Sequence, residues 1–497
     1  MKPIARLSKT TKEFSTKKQD VTLQQWCKRQ EELGVSARKE YWNMQVGLPY
    51  STKKIGLLEK KSLLHANVFL KNWKKPETLY WEAVGSIAGS KTYKLSLKLD
   101  DLRRTVVSSK KHSFNGKPVT WTTWRQYAVT AADNERKEVF DTLITKSKII
   151  APIIHKRFDI IKKIYARHKM EPLDVYCKEH HMSLANLKAV IAELQEYAKP
   201  LLTKQWRTMS NKFLSRNPTY YDDMYFMRNT VFSHLNIPKK INPISEIRRV
   251  LTKQNFSLQA ITVDAQNRPH KYPSPFCSFI KIPSDVRVSY KAEQIANDLN
   301  SVFHEFGHAA HATTISEDLP YWTRYSLSEG LSETFSTLYE NILHDKRFLI
   351  EEVQLPEQTA EEFVHGLEFI KLYAIAFYCA NSLFKIDYFE KQLTPDQCDA
   401  NYAAHIKKCM GITVPGEYWK LHHILPEALL YVPSYLLAMI RAAELGQKLK
   451  NKYGSWWNSK EAGAEIRELM RPGADSCVGV FEKLNSEYLT CNFGSNK

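Results

Sequence analysis

Apolar residues recur three and four positions apart along much of this chain, the spacing that places them on one face of an α-helix. Near the start, Thr22 and Gln25 form the signature of a helix N-cap, and Gly34 is the predicted end of that helix. Longer stretches rich in helix-forming residues lie around 133–170, 183–215 and 357–392. The chain is therefore predicted to be mainly α-helical.

Alternating apolar and polar positions, which indicate β-strands, are scarce in this sequence. Residues 93–99 alternate in this way and predict one strand. Short runs of β-forming residues predict a small sheet, at 261–263, 276–282 and 286–290. These runs come just before a segment with helical spacing, residues 299–311, so the sheet is predicted to lie next to that helix.

The net charge of +19 comes from the first half of the chain. Residues 1–250 contain 48 Lys+Arg and 23 Asp+Glu, whereas residues 251–497 contain 24 and 30. The change falls near the Pro- and Asn-containing segment 237–243, which predicts a basic, helical N-terminal lobe (1–240) and a second lobe (241–497). A basic lobe can bind nucleic acid, or it can face an acidic lobe across a cleft and attract anionic ligands. Nucleic-acid binding is the remote alternative, because the lysines are scattered and no recognition motif occurs.

The sequence lacks the features of a secreted or membrane-spanning protein. The first twelve residues have no apolar core of the length that a secretory signal requires. The longest uncharged stretch of interest, 428–440, contains Pro433 and is shorter than the roughly 18 to 20 apolar residues of a membrane span. The eight cysteines are dispersed without a Cys-x-x-Cys pair, as expected for reduced thiols. We expect a soluble, cytoplasmic protein, either a monomer or a homodimer.

The pentapeptide HEFGH, which begins at His304, has the spacing of a helical metal site. Residues four apart stand one above the other on a helix, so His304 and His308 can present two imidazoles to one metal ion. Glu305 is turned away from that line and can act on a metal-bound water as a general base without being a ligand. A third histidine, His311, is predicted on the same polar face. Gly307 costs about 1 kcal/mol inside a helix, which predicts that another element packs closely there.

A second amphipathic segment, residues 328–341, offers a third metal ligand. Its polar stripe includes Glu329, Glu333 and Glu340. Glu333 is the predicted ligand, which would give one zinc ion (Zn²⁺) three protein ligands and an open position for water. Glu329 is the rival ligand, and Glu340, two turns beyond Glu333, would orient a histidine.

These two segments, HEFGHAAH at 304–311 and LSETFSTLYE at 331–340, resemble the oligoendopeptidase F and thimet oligopeptidase family of zinc metallopeptidases. The upstream pattern Asp264-x-x-x-Arg268-x-x-Lys271 is similar to that family's sequence before its metal-binding helix. The resemblance implies a two-lobed helical metallopeptidase with a deep central cleft and a small β-sheet next to the active-site helix. It also implies short peptides as substrates.

Other segments resemble the related carboxypeptidase Taq family, as does the total length: 274–276, 285–289 and 431–444. The chain departs from that family in three places. Ser274 occupies a histidine position, the segment 417–423 lacks a Gln-Asp pair, and Lys371 stands where an arginine is expected to hold the free carboxylate of the substrate. The interpretation is therefore an oligoendopeptidase, with a metallocarboxypeptidase as the alternative.

Both families place a histidine before tyrosines that face the metal. Here His423 precedes Tyr431 and Tyr435 by eight and twelve residues. The resemblance implies that these three residues are catalytic. Tyrosine hydroxyls directed at a tetrahedral intermediate would stabilise its oxyanion. Together with Glu305 they complete the predicted catalytic set.

Overall fold

The computed structural model describes residues 22–106, 111–268, 271, 272, 274–292, 294–422 and 424–490. Helices make up most of this part of the chain, and its strands are few and short. The prediction of a mainly α-helical protein is therefore confirmed.

The elements of the first half are α1 (Leu23–Gln45), α2 (Thr52–Asn72), α3 (Glu77–Thr105), a hairpin of β1 (Ser113–Phe114) and β2 (Lys117–Pro118), α4 (Trp124–Thr130), α5 (Asp133–Arg167), α6 (Pro172–Glu179), α7 (Leu184–Phe213) and α8 (Asp223–Tyr225), which continues as a π-turn (Phe226–Thr230).

The elements of the second half are α9 (Pro243–Lys253), β3 (Ile261–Asp264), β4 (Phe276–Lys281), β5 (Asp285–Ser289), α10 (Ile295–Thr314), α11 (Tyr321–Tyr325), α12 (Glu329–Glu340), α13 (Lys346–Glu351), α14 (Glu357–Glu390), α15 (Pro395–Met410), α16 (Val432–Tyr453), α17 (Lys460–Met470) and α18 (Glu487–Thr490). The 3-10 turns are Asn341–His344, Gly416–Leu421, Trp456–Asn458, Gly473–Asp475 and Cys477–Gly479.

Residues 93–99 lie inside α3, so the predicted strand was wrong. The buried side chains of α3 follow a helical repeat along its length, among them Leu79, Ala83, Ile87 and Leu99. This long repeat outweighs a short local alternation, because the whole helix buries one continuous face.

Helix α1 has the capping box that Thr22 and Gln25 predict. The helix does not end at Gly34, as predicted, but continues to Gln45. Beyond the glycine, Trp42 packs against Phe276 of β4 with a centroid distance of 5.4 Å. This tertiary packing outweighs the roughly 1 kcal/mol that a glycine costs inside a helix.

The small sheet predicted next to the helix of the HEFGH segment is present. Its strand order is β3-β5-β4, with β3 parallel to β5 and β4 antiparallel to β5. Both β4 and β5 pack against α10. Strand β4 therefore forms one edge of the sheet beside the helix that carries His304 and His308.

Helix α12 lies between α10 and α16 and packs closely against both. The contact with α10 is close at Gly307, where a Cβ atom would lie 2.6 Å from the Cα of Ser336 and 2.7 Å from the carbonyl oxygen of Phe335. The close packing predicted at Gly307 is therefore present. It brings the backbone of α12 next to the two histidines.

The Gly307→Ala variant is expected to lose about 1 to 3 kcal/mol of unfolding free energy, because the added methyl overlaps the backbone of α12. The clash outweighs the gain of about 1 kcal/mol in helix propensity. Urea denaturation measures the change. The matched control is Gly89→Ala in α3, where a Cβ would meet nothing within 4 Å and stability should stay equal or rise. An equal change in unfolding free energy for the two variants would contradict the close packing at Gly307.

Among the described helices, α14 has the length and apolar composition of a membrane span, but 56% of its apolar 18-residue window is buried inside the protein. It packs against α7, α15 and α16. This burial is typical of the core helix of a globular fold, so α14 is weak evidence for a membrane.

Candidate metal centre and active site

His304 and His308 lie one turn apart on α10, with ring centroids separated by 4.9 Å. The outer nitrogen of each ring has a polar partner. Nδ1 of His304 lies 2.8 Å from Oε2 of Glu340, and Nδ1 of His308 lies 3.0 Å from Oγ of Ser332. These contacts orient both rings so that their Nε2 atoms face the same point.

The carboxylate of Glu333 lies at that point. Its Oε2 is 3.2 Å from Nε2 of His304 and 3.6 Å from Nε2 of His308. The ligand atoms of the three residues all lie within 4.8 Å of one another. Two imidazole nitrogens and one carboxylate oxygen are the donor set of catalytic zinc sites, which leave one position open. The residues present therefore fit one zinc ion.

Glu333 is 2% exposed. Burial alone would raise its pKa, but the adjacent His308 and His304 hold the pKa well below its usual range. Tyr431 donates to Oε1 of Glu333 at 2.5 Å, and Oγ of Ser336 lies 3.2 Å from Oε2. Glu333 is thus an ionised carboxylate with its orientation fixed on both oxygens, as a metal ligand requires.

The two other acids of α12 are placed differently. Glu340 accepts from Nδ2 of Asn300 at 2.9 Å while contacting His304, which is the orienting position predicted for it. Glu329, the rival ligand, is not part of the donor group. It lines a different cavity together with Glu179, and its charge raises the pKa of Glu179 after the larger effect of burial. Burial also raises the pKa of Glu329, with a smaller contribution from Glu333.

Glu305 lines the same cavity as the three donor residues. Burial raises its pKa, while His304 and His308 lower it. The backbone N–H of Cys277 on β4 donates a hydrogen bond to its carboxylate. Glu305 is therefore held beside the candidate metal position by the strand that borders α10, without belonging to the donor group.

Tyr435 and Tyr431 both line the cavity, from the start of α16. The ring of Tyr435 stacks on Tyr378 at 4.7 Å with an interplanar angle of 16°. Burial and then Glu333 raise the pKa of Tyr435 well above its usual value, so its hydroxyl keeps the proton. The hydroxyl of Tyr431 is bonded to Glu333, which the sequence did not predict. His423, the third member of this predicted set, lies outside the described residues.

His311 was predicted on the polar face with the other two histidines, but it is fully buried. Its ring packs against Phe335 of α12 at 4.5 Å, and burial lowers its pKa to about 3. His304 and His308 line the cavity, whereas His311 does not and packs against α12 instead. His311 is thus a neutral core residue.

The candidate centre opens into a cavity of about 700 Å³ lined by both halves of the chain. The first half contributes Trp124, Arg125 and Arg228, and the second contributes β4, α14 and the start of α16. The two arginines could not be predicted as cavity residues, because nothing in their local sequence places them beside α10.

Basic and aromatic donors bind backbone carbonyls at residues 421, 422, 425 and 427, which precede Tyr431. Three of them come from the first half. Nε1 of Trp121 lies 3.3 Å from the carbonyl of Leu421, Nη2 of Arg103 lies 3.3 Å from that of His422, and Nη1 of Arg157 lies 2.6 Å from that of Glu427. Nζ of Lys385 lies 3.2 Å from the carbonyl of Leu425. Part of the basic charge of the first half therefore serves to position this segment.

No protein-family model matches the sequence, and a search of curated proteins finds no match. Solved structures do match in fold. A carboxypeptidase of Deinococcus radiodurans has a TM-score of 0.59 at 12% identity, over 95% of this chain and 97% of that one. Metallocarboxypeptidase 1 of Trypanosoma cruzi has a TM-score of 0.58 at 14% identity, over 95% and 99%.

A Bacillus anthracis protein assigned as an oligoendopeptidase F matches with a TM-score of 0.56 at 15% identity, over 91% of this chain and 83% of that one. The chain therefore has the fold of these metallopeptidases, which is the fold that the sequence resemblance implied. The shared fold extends over nearly the whole chain, including the first half, where the sequence offered only a general helical likeness.

Proposed function

We propose that this protein is a zinc peptidase that cleaves internal bonds of short peptides. The observation that carries the proposal is the convergence of His304, His308 and Glu333, whose ligand atoms lie within 4.8 Å of one another at the wall of the large cavity. Glu305 lies beside them without being a donor. The fold shared with metallopeptidases supports the same function.

Zinc held by these three residues would lower the pKa of a coordinated water toward 7 and polarise the carbonyl of the scissile bond. Glu305, half-buried at the cavity wall and with a raised pKa, is suited to take a proton from water and return it to the leaving amine. The amide of Cys277 keeps its carboxylate in place during both transfers. The protonated hydroxyl of Tyr435 can donate to the developing oxyanion.

Cleavage of internal bonds is favoured over carboxypeptidase action by the position of Lys371. In the carboxypeptidase pattern this residue corresponds to the arginine that is expected to hold the substrate's free carboxylate. Here Lys371 lines a separate cavity of about 390 Å³ together with His344 and Glu368. Burial lowers its pKa to about 8. Lys371 is thus poorly placed to hold a substrate at the metal centre.

A product map of a mixed peptide pool, analysed by mass spectrometry with and without a metal chelator, tests the proposal. Internal cleavage that the chelator abolishes and zinc restores is the expected result. Release of single C-terminal residues, lost when peptides are amidated, would assign the carboxypeptidase alternative. No chelator-sensitive cleavage of any peptide would contradict the peptidase proposal.

The Tyr435→Phe variant is expected to lower kcat about 100-fold with little change in KM, because it removes one donor to the oxyanion and keeps the stacked ring. The matched control is Tyr453→Phe, which removes a hydroxyl at the other end of the same helix. Steady-state kinetics on one internally cleaved peptide measures both. A Tyr435→Phe enzyme with normal kcat would remove this hydroxyl from the mechanism.

A further inference from the structure

A buried histidine, His180, lies where α12 and α16 begin. It follows the last residue of α6, and 0% of its surface is exposed. It does not line the cavity that contains the donor residues, so it is not placed to contact a substrate there. Its ring packs against Tyr176 and Phe481, with centroid distances of 4.1 Å and 5.6 Å. Both ring nitrogens are thus shielded from water.

Two backbone groups determine the protonation state of His180. Nδ1 lies 2.8 Å from the carbonyl oxygen of Tyr176, which can only accept a hydrogen bond. Nε2 lies 3.0 Å from the amide nitrogen of Gly330, which can only donate one. The ring is therefore neutral, with its proton on Nδ1 and a lone pair on Nε2. Burial, which lowers the pKa of His180 to about 4, favours the same neutral form.

Ser434 of α16 makes a second contact with Nε2 of His180. Its Oγ lies 3.2 Å from Nε2 and 3.0 Å from the hydroxyl oxygen of Tyr176. Because Nε2 carries no proton, Ser434 donates to it, and the hydroxyl of Tyr176 donates to Oγ of Ser434 in turn. Nε2 thus accepts from the backbone of α12 and from a side chain of α16. One imidazole nitrogen joins the two helices.

The contact with α12 satisfies one of the first amides of this helix, which have no acceptor within the helix. Ser328 accepts from the amide of Leu331, and His180 accepts from that of Gly330. The approach is close, because a Cβ atom at position 330 would lie 2.7 Å from Cδ2 of His180. Removal of the acceptor would leave a buried amide without a partner, which is unfavourable. The first turn of α12 would then shift toward another acceptor.

The start of each helix also carries residues of the candidate centre. Glu333 is three residues beyond Gly330 on α12, and Ser434 lies between Tyr431 and Tyr435 in the sequence. The hydroxyl of Tyr431 donates to Glu333 at 2.5 Å, which is a second bond between the same two helix starts. A change in the spacing of the helices would therefore move the metal ligand Glu333 relative to Tyr435.

Resting on the proposed peptidase function, we propose that His180 is a positioning residue of the metal centre. Its Nε2 holds the first turns of α12 and α16 together, so that Glu333 faces the two metal-binding histidines and Tyr435 faces the cavity. A displacement of about 1 Å at a catalytic group can cost about 100-fold in rate. Loss of the acceptor should therefore affect both zinc affinity and kcat.

Two substitutions separate the acceptor from the rest of the ring. In His180→Gln the amide oxygen can reach the place of Nε2 and accept from Gly330, whereas the shorter His180→Asn keeps only a donor for the carbonyl of Tyr176. We expect His180→Asn to weaken zinc affinity about tenfold and to lower kcat about tenfold, with KM nearly unchanged. His180→Gln should stay within about threefold of the wild-type protein in both quantities. Competition with a chromophoric chelator measures zinc affinity, and steady-state kinetics on an internally cleaved peptide measures kcat.

The matched control is His65→Asn, at a second buried histidine. His65 stacks on Trp26 at 4.5 Å, and its Nε2 lies 3.1 Å from the carbonyl oxygen of the same residue. It does not line the main cavity. This variant should lower the melting temperature, as both His180 variants should, but leave zinc affinity and kcat unchanged.

Ser434→Ala removes only the link to α16, and it tests the proposal even if neither His180 variant folds. Its kcat should fall about threefold, because Tyr435 is adjacent, while zinc affinity stays the same, because the contact with Gly330 remains. An unchanged kcat in Ser434→Ala would overturn the link between His180 and α16.

A folded His180→Asn variant with wild-type zinc affinity and kcat would overturn the proposal. Equal losses in His180→Asn and His180→Gln, or in His180→Asn and His65→Asn, would also overturn it, because a general loss of stability would then explain them. Absence of chelator-sensitive cleavage by the wild-type protein would instead contradict the peptidase proposal. Zinc affinity would in that case still test whether His180 positions Glu333.

Discussion

Replacing Glu305 by glutamine is expected to lower kcat by about 10³- to 10⁴-fold while zinc stays bound. The carboxamide has nearly the same shape as the carboxylate, and its oxygen can still accept from the amide of Cys277. What it cannot do is take a proton from water. General-base catalysis contributes up to about 10⁴ to the rate of a step that needs it. The loss should therefore appear in kcat, with KM almost unchanged.

Two measurements on the same Glu305→Gln preparation separate catalysis from metal binding. Zinc content, measured after dialysis, should match that of the wild-type protein, because Glu305 is not part of the donor group. Turnover of an internally cleaved peptide should be close to the background rate. A variant that keeps normal turnover would exclude Glu305 as the base. A variant that loses both zinc and turnover would assign Glu305 to metal binding instead.

The relative positions of the donor residues could be predicted from the sequence because helix geometry determines them. His304 and His308 are four residues apart, so their rings must lie on one side of α10. Glu333 follows from the polar stripe of α12, and Gly307 indicated in advance that another backbone approaches α10 closely. These predictions depend only on residue spacing within one helix, and they hold when that helix forms.

Other features depend on contacts between distant parts of the chain. His311 is buried against Phe335, 24 residues further along, and the polar residues on its own helix face, such as His304 and His308, gave no sign of this burial. Likewise, Arg103, Arg125 and Arg228 belong to separate elements and meet only in the folded protein. No spacing rule links them, so their shared cavity could not be predicted from the sequence.

The charge asymmetry between the halves gains a physical explanation from these contacts. Arg103 and Arg157 hold backbone carbonyls of the segment 421–427, and Arg125 and Arg228 line the large cavity. Arg103 also pairs with Glu427 of the second half, and the cavity lined by Arg125 and Arg228 is lined by Glu305, Glu333 and Glu340 as well. The positions of these four arginines fit the interpretation of a basic half across a cleft from an acidic half. This interpretation requires no nucleic acid.

Replacing Glu333 by glutamine is expected to abolish zinc binding at micromolar metal and, with it, all peptidase activity. Of the three metal ligands, Glu333 is the only carboxylate, so the change removes the negatively charged ligand. The glutamine can keep the hydrogen bond with Tyr431. Loss of residues that only orient a ligand weakens metal affinity about 10- to 100-fold, so loss of the ligand itself should exceed 100-fold. Competition with a chromophoric chelator gives the affinity.

A graded series makes the Glu333 prediction specific, because α12 carries three glutamates of the same length. Glu340→Gln should weaken zinc affinity about 10- to 100-fold, since Glu340 contacts Nδ1 of His304 and not the metal position. Glu329→Gln should leave zinc affinity unchanged, because Glu329 lines a different cavity with Glu179 and is outside the donor group. An order in which Glu329→Gln loses the most zinc would identify the rival ligand and move the metal centre toward the start of α12.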